Sequence, residues 1–287
     1  MPDISVTAGG SLSVASMLTW RTGCRGAASA SGLVKESAAQ GVYSSVAAWY
    51  DMPFRGSTMR YNSRLLLSFD TSGFSDAEEA AIYIFPYIDA SQSTSVDYVT
   101  KIYAIKAGTG WDGSDGDITV NDYANFDGAG SCRTASMSGH VTDYGTTKPF
   151  SNADTRYIDE GTSAQAIIIK LNSTAVSDMN SDSQLLVMLV NTFDYNYTDI
   201  TSHTTTQTDD GQTYKTRAGI GHYTSNNSDA TLRPFLRYTT SGDVSKINGV
   251  SQMDLNSMGP AQGGDSKSGL GVSFARKLEK IGGKEKK

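Results

Sequence analysis

With 287 residues, a formal net charge of −6 and 38% hydrophobic residues, the chain can bury a sizeable core. That excludes a disordered polymer and argues against a general nucleic-acid binder, which needs a basic surface. Cys24 and Cys132 stand far apart in no metal-ligand spacing and read as unpaired thiols.

Gly, Ser, Thr, Asp, Asn and Tyr are abundant while Leu, Glu and Lys are scarce, a bias toward strands and turns. The start, "MPDISVTAGGSLSVASML", lacks the basic and apolar regions of a secretory signal. Residues 1–41 are Ala/Ser/Gly-rich and alternate only weakly, so they read as an extended N-terminal arm or a first edge strand. From 42 to 241 the pattern is β. In "RLLLSFD" the period of two puts Leu65, Leu67 and Phe69 on one face. Arg64, Leu66, Ser68 and Asp70 fall on a wetter one, with Arg64 at the strand edge beside Asp70 or a neighbour. "AIYIFPYI" is apolar on both faces until Pro86, which suits a strand leaving its sheet.

Further strands are expected over 96–108, 164–172, 183–195, 213–223 and 233–240, with a helical turn near 174–179. Gly/Asn/Asp-rich turns such as "GTGWDGSDGD" and "TSNNSD" separate them. The pattern predicts an all-β fold, an antiparallel jelly-roll β-sandwich with an N-terminal arm and a C-terminal extension. Residues 242–287 change character to a polar linker and a basic tail. From Ser266 on there are seven Lys/Arg against two Glu, on a chain that is acidic as a whole. No stretch approaches the roughly 18 apolar residues of a membrane span.

Several residues invite chemistry. His140, His203 and His222 lie in no short metal spacing, and neither a G-x-S-x-G elbow nor a phosphate-binding G-x-x-x-x-G-K-[ST] loop is present, so no catalytic residue is assigned. Asp112, Asp115 and Asp117, with Ser114 between them, offer oxygens for Ca²⁺ on a Gly-permissive turn, although the EF-hand order is not met. A solvated Asx-rich turn is the competing reading. Trp111, Tyr98, Tyr103, Tyr144, Tyr195 and Tyr197 fall near loops or strand ends and are candidate glycan contacts, against half-buried rings with a hydroxyl at the rim. In the tail, Phe274, Leu278 and Ile281 form one helical stripe beside Arg276 and Lys277, a candidate partner-docking segment.

The run Arg64, Leu66, Leu67, Phe69, Asp70, followed after "TSGFSDAEEA" by Ala80, Ile82 and Ile84, resembles the core of the DNRLRE domain, which is similar to carbohydrate-binding module family 96. "KIYAIKAGTGW" with Trp111, "TVNDYANFDG", and "LRPFLRY" with Arg233, Pro234, Leu236 and Tyr238 extend the resemblance over about 42–241. It implies a jelly-roll sandwich. "VSKINGVSQMDLNSMG" resembles segments of phage and environmental bacterial structural proteins. The expectation is therefore a non-enzymatic structural virion protein of a tailed bacteriophage, in capsid decoration, fibre or tail. It would be made in the host cytoplasm and be homo-oligomeric. It would bind other virion proteins, with host surface glycans as a further candidate partner, and would have no nucleic-acid partner and no membrane span. It would carry no cofactor unless calcium binds. A secreted or cell-surface carbohydrate-binding module is the alternative, and a tailspike depolymerase the third.

Overall fold

The computed structural model describes residues 3–16, 20–37, 43–54, 57–86, 101–114, 116–148, 166–198, 207–209, 212–214, 216–240, 246–247 and 250–251. The chain divides into two units, Met1–Ser241 and Gly242–Lys287. In the first, the strands are β1 (Asp3–Ser16), β2 (Gly32–Lys35), β3 (Tyr43–Phe54), β4 (Ser57–Asp70), β5 (Ala77–Ile84), β6 (Ile102–Lys106), β7 (Asp143–Thr147), β8 (Ile167–Leu171), β9 (Gln184–Asn191), β10 (Gln207–Asp209), β11 (Gln212–Tyr214), β12 (Thr216–Tyr223) and β13 (Phe235–Thr240). The helices are α1 (Ala129–Cys132), α2 (Ser173–Ser181) and α3 (Thr192–Asn196), with one π-helical turn at Trp20–Arg25. In the second unit Ile247 pairs with Val250 in a short antiparallel ladder, with Asn248 and Gly249 between them in sequence. Among the described residues no helix is long and apolar enough to cross a membrane.

The all-β, antiparallel expectation holds, but the sheet closes on itself. The order β1–β4–β9–β6–β7–β8–β5–β13 returns to β1, every pairing antiparallel, so eight strands form a barrel. β3 continues the sheet from the first half of β4, with β12 beyond it, and β2 lies on the first strand. The jelly-roll sandwich is thus replaced by a closed ring, and the reason lies in residues 1–41. β1 is neither arm nor edge. It pairs with β13 at Asp3–Ser5 and with β4 from Val6↔Phe69 to Ser16↔Arg60, and so forms the seam that closes the barrel. Closure removes sheet edges at the seam, where unpaired N–H and C=O groups would otherwise be exposed.

An eight-stranded barrel is just wide enough for side chains to fill. Here all eight ring strands contribute, with Val6, Leu65, Leu67, Phe69, Ile82, Ile102, Tyr144, Ile169, Val187 and Leu236 buried together. Helix α2 adds Ala175, Val176 and Met179 to this interior. Its N-cap Asn172 accepts the Ala175 N–H and donates to the Asp143 carbonyl.

A second core covers the outside of β4. Leu66 is fully buried there with Leu12, Trp20, Ile105, Trp111, Tyr123, Met188 and Phe193. The face of β4 expected to be wetter is therefore dry from Arg64 to Ser68, because the π-helical turn and the 111–141 segment lie over it. The irregularity between Val6 and Ala8 lets one strand serve both cores. Val6 faces the barrel interior, while Ala8, Leu12 and Val14, of the same parity, face the outer layer.

Candidate glycan-contact surface and its buried support

The outer layer is braced by a buried charge centre. Asp194 is fully buried and accepts from Arg64 through Nε (2.7 Å) and an Nη (2.9 Å), a two-pronged pairing. The Arg25 Nε lies 3.4 Å from its Oδ1 and donates to the Asp194 carbonyl at 2.9 Å. Asn62 donates to Asp194 (2.9 Å) and to the Tyr123 hydroxyl (2.7 Å), and Asn191 donates to Asn62 (2.9 Å). The Arg64 guanidinium also stacks 4.1 Å from the centre of the Tyr123 ring. Burial by itself pushes the Asp194 carboxyl up. The Arg64 charge and hydrogen bonds, Arg25 and Asn62 outweigh it and hold the carboxyl below the usual carboxylate range. The placement of Arg64 corrects the sequence reading. Asp70, six residues along an extended strand, lies roughly 20 Å away, and its carboxylate instead accepts the Ser72 N–H at 2.9 Å.

Helix α3 buries Asp194 together with the Phe193 and Tyr195 rings and leaves Tyr197, at its C-cap, partly exposed. The apolar run expected to continue as a strand through Tyr195 stops at Asn191. The Asn191 side chain caps the helix, accepting the Phe193 and Asp194 N–H groups at 3.0 and 3.1 Å. Tyr195 stacks on Tyr103, ring centres 3.9 Å apart and 3° from parallel, and donates its hydroxyl to the Asp143 carboxylate. Burial first, then that hydrogen bond, pushes the Tyr195 phenol up. Tyr197 ends the helix in the left-handed region at φ 56°, and the guanidinium carbons of Arg21 and Arg25 lie 4.9 and 4.6 Å from its ring centre. Tyr103, Tyr197 and Arg21 are partly exposed, and Asn196 is exposed.

Three of the six candidate glycan contacts, Tyr103, Tyr195 and Tyr197, are therefore gathered at one place on α3 and β6. Of these Tyr195 is itself buried and presents its ring only through Tyr103. Trp111 and Tyr144 are each 1% exposed and offer no face to a sugar. The Trp111 indole N–H donates to the Ser114 carbonyl at 2.9 Å and pegs its loop to the outer core. Tyr144 fills the barrel interior and donates to Asp178. Tyr98 lies outside the described residues, as do the docking candidates Phe274, Arg276, Lys277, Leu278 and Ile281.

Of the calcium candidates, Asp115 also lies outside the described residues. The other two fold back on their own backbone. Asp112 accepts the Ser114 N–H at 2.8 Å, and Asp117 accepts the Asp112 N–H at 3.2 Å. The Ser114 hydroxyl and N–H hold the Asp112 carboxyl below its ordinary value. Among the described residues no three His, Cys, Asp or Glu side chains are grouped to hold a metal ion. Both thiols are free and buried, and burial pushes Cys24 up to about 12.

Sequence reasoning missed Arg21, Arg25, Asp194 and Asn196. Arg21 and Arg25 were legible only as an i, i+4 pair in "WRTGCR", and nothing local tied them to "NTFDYNY" more than 160 residues away. Compared with models of protein families and with curated proteins, the chain matches none.

Proposed function

We propose that the chain is a non-enzymatic structural protein of a tailed-bacteriophage virion, a rigid barrel module with a basic extension that latches onto a neighbouring virion protein. The observation that supports this reading is how the barrel spends its polar groups. Arg25, Arg64, Asp194, Asn62 and Asn191 are used against one another to weld the outer layer to β4. A second unit with a surplus of basic residues follows the welded module. The resemblance of Arg64–Asp70 to the DNRLRE core belongs with this reading, the motif arginine here serving as the partner of Asp194.

The test is assembly. Protein ending at Ser241 is added to particles lacking the wild type. It should fold and fail to incorporate, and normal occupancy of the particles would sink the latch.

A second reading, a carbohydrate-binding module, is favoured by the convergence of Tyr103, Tyr195 and Tyr197. The two are compatible, since a virion surface protein that touches host glycans has use for both. Affinity electrophoresis against host surface polysaccharide checks it. Retardation of the wild type should be lost in Tyr103→Ala, and equal mobility with and without polysaccharide removes the glycan role.

A further inference from the structure

Among the described residues Arg21 has no counterpart to the pairing of Arg25 and Arg64. Its neighbour Arg25 gives hydrogen bonds to the Asp194 and Ala135 carbonyls, and Arg64 is paired with Asp194. Arg21 is half-buried, and its Nε is shielded from solvent with no hydrogen-bond partner among the described residues. Its contact is with the face of Tyr197. A guanidinium carries five donors in a rigid fork suited to an oxyanion, and a shielded N–H without an acceptor costs free energy until one arrives. Charge points the same way. Arg21, Arg25 and Arg64 converge around α3, and Asp194 is the carboxylate that pairs with the two inner ones. Tyr197 is also the one described residue other than glycine with positive φ, a strained conformation that persists because surrounding contacts hold it.

We propose that Arg21, set on the Tyr197 ring with the buried Arg25 guanidinium close to the same ring, is a subsite for a phosphoryl group. A phosphate ester or free phosphate brings three acceptor oxygens and more than one negative charge near neutral pH, which fits two guanidiniums on one ring better than a single carboxylate does. The subsite stands apart from the virion reading. It deepens the glycan reading of the same surface by naming the group that α3 would hold on a phosphorylated glycan.

Calorimetric titration of the full-length protein with four probes tests it: inorganic phosphate, glucose 1-phosphate, glucuronate and glucose. Both phosphates should bind at least about tenfold more tightly than glucuronate. Arg21→Gln should weaken both phosphates by about tenfold or more, the loss of one charge-assisted hydrogen bond, with the unliganded Tm unchanged. Should the Gln variant melt early, Arg21→Lys keeps the charge and loses the fork, and must still weaken phosphate. No phosphate binding by the wild type overturns the subsite, as does binding that survives both substitutions, or glucuronate binding as tight as phosphate. Tyr103→Ala separates the two ideas. If it leaves inorganic phosphate unchanged and weakens glucose 1-phosphate, subsite and glycan reading both stand. If glucose 1-phosphate never exceeds inorganic phosphate, the subsite stands and the glycan source fails. Glucose binding without phosphate binding spares the glycan reading and removes the subsite.

Discussion

Asp194 decides the charge state of the outer layer. Its removal leaves two guanidiniums buried without their carboxylate, so Asp194→Ala should cost about 3–5 kcal/mol in urea unfolding, the usual penalty for breaking a buried pair by deleting one partner. Its titration adds a pH signature. A carboxyl whose folded pKa lies below its unfolded value stabilises the fold above that unfolded value, about 3.9, and the stabilisation is lost as pH falls further toward the folded pKa. Asp194→Asn should therefore flatten the stability–pH curve below about pH 4, read from urea midpoints between pH 2 and 6. Leu66 and Phe69 test the two cores. Both are fully buried on opposite faces of one strand. Phe69→Ala should cost about 3–5 kcal/mol and Leu66→Ala about 2–5. A Leu66→Ala variant that melts like wild type would reinstate the wet face.

At the scale of elements, β1 and α3 do most to set the architecture. β1 touches β13, β4 and β2, and without it the ring opens along β4 and β13. Protein starting at residue 20 should lose its cooperative thermal transition, whereas loss of a mere arm would leave it intact. The β7–β8 pairing depends on one backbone approach. Gly145 sits at φ 150°, and a Cβ there would stand 2.1 Å from the Lys170 carbonyl oxygen. Gly145→Ala must push the strands apart, and its thermal midpoint should fall well below that of Gly73→Ala, where a Cβ has open space and only the positive φ is strained. Asn191 starts α3 and also holds Asn62, so Asn191→Ala should exceed the ~1 kcal/mol typical of a lost cap.

At the scale of the whole molecule, the chain divides after Ser241 into two units, and the proposed latch assigns docking to the second. The truncated protein should keep the thermal midpoint of the full chain to within a few degrees, since the core residues clustered among the described residues precede the boundary. A large drop would mean that the second unit contributes to the barrel. Docking through a basic segment should weaken with salt, because the Debye length shrinks from about 10 Å at 0.1 M to about 3 Å at 1 M. Particle occupancy measured across that range checks it.

The sequence by itself determined the element types that rest on local period and local turns. Alternation in β4, the apolar runs of β5, β8 and β9, the helix near 174–179 and the Asx-rich turn at Asp112 all follow from side chains within a few residues of one another. It did not determine β1, whose small Gly, Ser and Ala side chains carry little periodic signal and whose place in the barrel is fixed by long-range pairing with β4. Nor did it separate sandwich from barrel, since both want short alternating strands and differ only in whether the first strand meets the last. The wet face of β4 became dry, and Arg64 found Asp194 rather than Asp70, because an outer layer from distant segments of the chain removed water from that side. The gathering of Tyr103, Tyr195, Tyr197 and Arg21 is likewise tertiary. Residue types can be read one at a time, but the cap at Asn191 and the closure of the ring bring them to one surface.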